Sequence, residues 1–182
     1  MGARGRLTDE LREHALVIGT VTPTGGAQAE YYVDAKRAIL RRAGFVALGE
    51  LLAERAADWG ATAVGGMTMG ADAVTCAALA GGADVKGFFV RKEVKSHGLS
   101  RRIEGPLLVA EDRCLVVEDV VSTGGSTVAA IEALPDAGHE ICGVVSVLDR
   151  LAGGGRRIEA AAGAPYVALV TIDDIYPQRP DR

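Results

Sequence analysis

The chain of 182 residues is poor in cysteine, has no excess of positive charge and contains no long apolar run. Each absence removes a class of protein. Cys76, Cys114 and Cys142 are odd in number, widely spaced and form no CxxC pair. That excludes a disulfide framework or a zinc ribbon and points to a reducing compartment. Each cysteine lies in an apolar stretch, so three buried free thiols are expected. No apolar run approaches the roughly 18 residues of a membrane span. The opening Met1-Gly2-Ala3-Arg4-Gly5-Arg6 leads into no hydrophobic stretch and lacks Ser or Thr at position 6, so neither a secretory nor a myristoylation signal is read there. A cytoplasmic protein is expected, with no membrane partner. Lys+Arg 20 against Asp+Glu 24 gives a net charge of −4. That balance excludes a broad nucleic-acid-gripping surface. No fixed-period repeat and no Pro/Ser linker divides the chain, so one domain over 1–182 is expected.

What is abundant is glycine. The chain has 24, nearly twice the share of about 7% in an average protein. An excess without a collagen period implies loops that bend sharply or approach something closely. Apolar residues, at 48%, suffice for a sizeable core.

Periodicity sets out the elements. Residues 1–6 read as a loose tail, and Thr8 as the cap of a helix reaching about residue 18 through Leu7, Leu11, Ala15 and Ile18. Thr22-Pro23-Thr24-Gly25-Gly26 reads as a turn and Tyr31-Tyr32-Val33 as a strand. One long helix is expected from about Ala35 to Trp59, weakened by Gly44 and Gly49. Strands are expected at 61–64, 86–90, 114–117, 143–148 and 166–170, and helices at 71–80 and 126–134. Residues 91–105 read as a long charged loop, and Gly153-Gly154-Gly155 as a turn. Strands alternating with helices predict an α/β fold: a parallel sheet with helices on both faces.

The stretch Val117-Glu118-Asp119-Val120-Val121-Ser122-Thr123-Gly124-Gly125-Ser126 carries the most chemistry. It places two carboxylates at the carboxyl end of a buried strand, where parallel sheets bind ligands. A loop of hydroxyls and glycines then opens a helix, whose first N–H groups form an anion site. Carboxylates beside such a site suit sugar hydroxyls or a hydrated Mg²⁺. Residues 91–105 carry Arg91, Lys92, Lys95, Arg101 and Arg102 against Glu93 and Glu104, a net +3 on a remainder of −7. A basic loop on an acidic body fits a small polyanion. Gly65 and Gly70 have the spacing of half a P-loop, but no Gly-Lys-Ser/Thr follows, so an NTPase is rejected.

These motifs resemble those of a known family. Residues 117–126 are similar to the phosphoribosyl-diphosphate motif of type I phosphoribosyltransferases. Arg91-Lys92-Glu93-Val94-Lys95-Ser96-His97-Gly98 is similar to the catalytic loop of orotate phosphoribosyltransferases. Val64 to Asp72 resembles the family's diphosphate loop, and Leu148-Asp149-Arg150 its strand-end Leu-Asp-Arg. Thr22 to Gly26 with Tyr31 to Asp34 resembles the N-terminal hood, to which about 1–34 would contribute. Relatives carry lysines near Thr24 and Met69 that this sequence lacks.

The resemblance implies the fold of that family and transfer of phosphoribosyl from 5-phospho-α-D-ribose 1-diphosphate to orotate, in pyrimidine biosynthesis. It implies that Glu118 and Asp119 hold the ribose hydroxyls. Val120, Val121, Ser122, Thr123, Gly124, Gly125 and Ser126 would cup the 5-phosphate. Arg91, Lys92, Lys95 and His97 would meet the diphosphate, with Lys95 or His97 as proton donor. Ser122 and Arg150 would read orotate, since the arginine fork suits a carboxylate. Lys95, His97 and Asp119 are the expected catalytic residues. Mg²⁺ would arrive on the substrate, Asp119 being the protein oxygen nearest to it in role. A homodimer sharing loop 91–105 between subunits is implied. Tyr31 and Tyr32 suit either a cover over the base or the core. Seven glycines (Gly65, Gly66, Gly70, Gly98, Gly105, Gly124 and Gly125) fall in the three ligand loops, so much of the excess reads as functional. Two alternatives stand beside this reading: transfer to another base, and a non-catalytic phosphoribosyl-diphosphate sensor.

Overall fold

A computed structural model of the chain describes residues 1–21, 29–93, 102–134 and 139–182. Its centre is a six-stranded sheet made by β3 (Ala63–Met67), β4 (Lys86–Val90), β5 (Ile103–Glu104), β6 (Arg113–Val121), β7 (Glu140–Asp149) and β8 (Tyr166–Thr171), in the order β5-β4-β3-β6-β7-β8. All pairings are parallel except that of the short edge strand β5 on β4. A second, two-stranded antiparallel sheet pairs β1 (Leu16–Val21) with β2 (Ala29–Val33).

Continuous apolar stretches mark strands covered on both faces. In β6, Leu115 and Val117 join one buried cluster, while Cys114 and Val116 join the other. The first face is covered by α1 (Ala3–Glu10), α3 (Arg42–Asp58) and α4 (Gly70–Ala80) through Leu7, Leu48, Leu52 and Val74. The second is covered by α5 (Gly125–Ala133) and α6 (Gly154–Ala162) through Ile131 and Ile158. Each fully buried leucine contributes about 2 kcal/mol of hydrophobic stabilisation. The expected parallel sheet flanked by helices is what the chain forms.

Several local expectations are corrected. Residues 3–6 are helical, and α1 is tied down where Arg4 donates to the Leu169 carbonyl at 2.9 Å and pairs with Asp174 at 3.0 Å. Thr8 does not cap; inside the helix its hydroxyl donates to the Arg4 carbonyl at 2.8 Å. The helix becomes a π-helical turn at Leu11–Ala15, and Ile18 stands exposed in β1.

The long helix is two: α2 (Lys36–Ile39) and α3, broken at Leu40 and Arg41. Gly44 marks the break, because a Cβ there would meet the Ala38 carbonyl. Gly49 packs against the Ala77 carbonyl and Gly81, letting α3 and α4 approach closely. Residues 103–104 of the expected loop form β5. Residues 154–155 of the expected turn open α6. Cys76 is exposed on α4, whereas Cys114 and Cys142 are buried. Burial pushes the Cys114 thiol up to about 12, so it stays protonated and inert. Gly65 and Gly66 lie inside β3, where any Cβ would strike the Phe88 or Val117 carbonyl. Gly105 has φ +130° and lies against the Gly87 carbonyl. These three glycines are set by packing rather than by ligand.

The topology fixes where a site can form. From β3 the chain runs outward to β4 and β5, then returns to place β6 on the opposite side of β3. Their carboxyl ends therefore part at a switch point, the crevice where open α/β sheets bind ligands.

Candidate active site

Two segments meet at that switch point. Gly70 begins α4 just beyond β3, and Glu118 and Asp119 stand near the end of β6. A Cβ on Gly70 would lie 2.5 Å from Asp119 Oδ1 and 2.9 Å from Glu118 Oε1. Only glycine lets the helix start and the carboxylate pair come this close. The strand does not end at the carboxylates, as the sequence suggested, but runs on to Val121. Its ladder with β7 continues through Val120 and Leu148 to Val121 and Asp149.

Both carboxylates are buried. Thr127 donates to Glu118 Oε2 at 3.0 Å, and Val120 N–H donates to Asp119 Oδ1 at 2.8 Å. Burial, followed by the charge and hydrogen bonding of neighbouring Asp119, pushes the Glu118 carboxyl above the ordinary carboxylate range. Asp119 Oδ2 accepts from Lys36 Nζ at 2.9 Å, and the same ammonium lies 3.1 Å from Asp34 Oδ1. Burial opposes the Lys36 charge. The hydrogen bond and charge of Asp119, then those of Asp34, outweigh it and raise the lysine pKa.

The loop after β6 presents hydroxyls and glycines at the start of α5. Ser122 is half-buried, and Thr123, Gly125 and Ser126 are exposed. Gly124, with φ +76°, caps α5, and space opens around Gly125. The loop is braced where Gly154 N–H donates to the Ser122 carbonyl at 3.0 Å. Val121 differs from the residues after it. Its side chain belongs to the core and its carbonyl accepts the Arg150 N–H at 2.8 Å.

Arg150, just past β7, lies with its guanidinium carbon 4.9 Å from the Tyr31 ring centroid. Tyr31 is buried, edge-on to Tyr176 at 5.5 Å, and donates to Asp181 Oδ2 at 2.9 Å. Tyr31 is thus a packed residue under Arg150, while Tyr32 is exposed. Beside the end of β7, Tyr166 donates to Asp149 Oδ2 at 3.0 Å and meets Ser146 Oγ at 2.7 Å. Burial, with Asp149 adding to it, raises the Tyr166 phenol and keeps it a donor.

A cleft of about 530 Å³ opens between Thr68 and Met69 on one side and Arg91, Lys92 and Glu93 on the other. The glycine loop and the start of the basic loop therefore share one cavity. Arg91 also pairs with Glu104 at 3.4 Å, and its backbone N–H donates to the Arg102 carbonyl at 2.8 Å. Lys95, His97, Gly98 and residues 22–26 lie outside the described residues.

The chain is similar to known proteins over most of its length. A phosphoribosyl transferase domain model matches residues 41–162. The chain is 46% identical over 174 residues to the orotate phosphoribosyltransferase of Corynebacterium glutamicum, covering 95% of this chain and 94% of that one. This chain belongs to the orotate phosphoribosyltransferase family. It is a transferase of the type I phosphoribosyltransferase fold. The crystal structure of Mycobacterium tuberculosis orotate phosphoribosyltransferase with Fe(III) dicitrate superposes with a TM-score of 0.85 at 40% identity, covering 96% of this chain and 99% of that one. The complex of the M. tuberculosis enzyme with 5-phospho-α-D-ribosyl 1-diphosphate gives 0.81 at 36% identity, covering 95% and 98%.

Sequence reasoning had named Glu118, Asp119, Arg91, Lys92, Arg150 and the 122–126 loop. It missed Lys36, Thr127 and the Tyr166–Asp149 brace. Lys36 stands 83 positions from its partner Asp119. No local spacing signals such a pairing.

Proposed function

We propose that this enzyme transfers the phosphoribosyl group of 5-phospho-α-D-ribose 1-diphosphate to N1 of orotate. The products are orotidine 5′-monophosphate and diphosphate, a step of pyrimidine biosynthesis. The observation that carries the reading is the buried Glu118–Asp119 pair at the switch point, with a glycine-hydroxyl loop after it and the Arg150 guanidinium at the neighbouring strand end.

In this reading Glu118 and Asp119 accept hydrogen bonds from the ribose hydroxyls. The Ser122–Ser126 loop and the first N–H groups of α5 bind the 5-phosphate. Arg150 and Ser122 face the pyrimidine, the arginine fork pairing with its carboxylate. Arg91 and Lys92 lie in the cleft beside Thr68 and Met69 and take the diphosphate, together with Lys95 and His97 of the same loop. The C1–O bond breaks with its electron pair leaving on diphosphate, the lone pair of N1 closes on C1, and the N1 proton is lost. The enzyme acts by positioning the reactants and by cations placed where leaving-group charge grows.

Magnesium belongs to the proposal as a passenger of the substrate. Among the described residues no cluster of three or more His, Cys, Asp or Glu could cage a metal. The hard oxygens of Asp119 and Glu118 suit an ion already held by substrate oxygens. When bound, it supplies charge neutralisation on the diphosphate. A homodimer sharing loop 91–105 and a cytoplasmic location complete the reading. Among the described residues, no helix is long and apolar enough to cross a membrane.

The test is a panel of bases offered with phosphoribosyl diphosphate and magnesium: orotate, uracil, adenine and hypoxanthine. Turnover of orotate alone is expected. Turnover of a base without a carboxylate at a comparable rate contradicts the role given to Arg150.

A further inference from the structure

We infer that Lys36 is the positioning residue of the ribose end of the site: it clamps Asp119 in its binding orientation and brings a cation to the buried carboxylate pair. The inference rests on the functional reading above and adds a residue from the N-terminal third of the chain to it.

The first argument is geometric. Asp119 is fixed at both oxygens, Oδ1 by the Val120 N–H at 2.8 Å and Oδ2 by Lys36 Nζ at 2.9 Å. An ionised carboxylate has about four lone-pair sites, so two such bonds set its rotamer and leave acceptors for a sugar hydroxyl. Lys36 is itself fixed. Asp34 Oδ1 takes its Nζ at 3.1 Å and its backbone N–H at 3.2 Å. Around it Ala35, Ala38 and Ile39 are fully buried, so the one-turn helix α2 cannot shift without opening the core. The clamp is therefore rigid from the core outward to the carboxylate.

The second argument is charge. Glu118 and Asp119 are 5% and 7% exposed and adjacent, where repulsion between like charges is poorly screened. The loop facing them across Gly70 presents Met69, 75% exposed, and no cation between Met67 and Asp72. Lys36 brings a cation to the carboxylate pair from another element. An ammonium has three donors, of which Asp119 and Asp34 take two. The side chain is 39% exposed, so the third remains open to an incoming anionic ligand.

The experiment uses the purified full-length enzyme with Lys36→Met and Lys36→Arg. Binding of 5-phospho-α-D-ribose 1-diphosphate is measured by titration calorimetry, steady-state kinetics are measured for both substrates, and melting is recorded. Lys36→Met is expected to weaken phosphoribosyl-diphosphate binding at least about tenfold, the scale of one charged hydrogen bond. It lowers kcat and leaves the orotate KM within about twofold. Lys36→Arg is expected to recover most of the binding, since its fork still reaches a carboxylate. Wild-type affinity in Lys36→Met, or a lowered melting temperature with both KM values unchanged, makes Lys36 a structural tether and overturns the inference. If Lys36→Met does not fold, Lys36→Gln, which keeps a donor without the charge, is read by the same criteria. Wild-type turnover of orotate reports separately on the functional reading. The calorimetry decides the role of Lys36 even if no base is turned over.

Discussion

The Arg150 guanidinium stacks on the Tyr31 ring at 4.9 Å, and its buried Nε finds no hydrogen-bond partner among the described residues. A partly desolvated cation–π contact of this kind is worth about 1–2 kcal/mol and fixes the plane of the fork. The ring is held by Tyr176 and Asp181, so these residues brace the side of the site proposed to face the pyrimidine. Arg150→Ala is expected to reduce kcat/KM for orotate about a hundredfold while leaving phosphoribosyl-diphosphate affinity within about twofold, because a bidentate charged pair is lost at one substrate only. Tyr31→Leu should raise the orotate KM about threefold to tenfold. Steady-state kinetics with each substrate varied checks both, and equal losses for the two substrates contradict the assignment.

The burial of Glu118 beside Asp119 costs stability once Glu118 is ionised. With its pKa raised, Glu118 destabilises the ligand-free fold as pH rises from the ordinary carboxylate range through that elevated value. Glu118→Gln keeps an acceptor for the Thr127 hydroxyl and has no proton to lose. Its melting temperature should exceed that of the wild type by about 2–4 °C at alkaline pH, with the gap shrinking toward acid pH. Turnover should fall at the same time. A variant less stable than wild type across the whole pH range sinks this account.

Asp112 obeys the opposite sign. It is buried, and burial alone would raise its pKa. Lys86 at 2.7 Å, the Val109 N–H and the Thr62 hydroxyl outweigh that effect and hold it below the ordinary carboxylate value. Its contribution is full above the unfolded carboxylate pKa and is lost as pH falls through the depressed folded value. Asp112→Asn should cost about 1–3 kcal/mol near neutral pH. The cost should shrink below about pH 4. Denaturant melts at several pH values measure it, and a cost that does not change with pH rules out the charge as its source.

Lys95 lies beyond the described residues, so its role rests on the loop motif. Lys95→Ala is expected to lower kcat at least about a hundredfold, an ordinary loss for a group that stabilises transition-state charge. Its melting temperature should match the wild type. Unchanged turnover removes Lys95 from the chemistry.

The sheet and the acidic strand end could be read from sequence because their signals are local. Cys114 to Val117 is short, apolar and β-branched, and the carboxylates and glycines follow without interruption. Less legible was whatever depends on a distant neighbour. Val120 and Val121 belong to β6 because Leu148 and Asp149 continue the ladder beside them. Gly44 seemed merely to weaken a long helix, but it marks where α3 closes over the Ala38 carbonyl. Arg4 makes residues 3–6 helical by anchoring to Leu169 and Asp174, more than 160 positions away. Lys36 on α2 meets Asp119 on β6 through the tertiary fold alone, 83 positions away. The chemical types at the site were therefore readable, but the clamps that aim them were not.

The most direct measurement incubates the wild-type enzyme with orotate, 5-phospho-α-D-ribose 1-diphosphate and magnesium, and quantifies products by anion-exchange chromatography. Orotidine 5′-monophosphate and diphosphate should appear in equal amounts, each requiring both substrates. Tight binding of phosphoribosyl diphosphate without formation of either product would contradict the account and mark the site as a sensor rather than a catalyst.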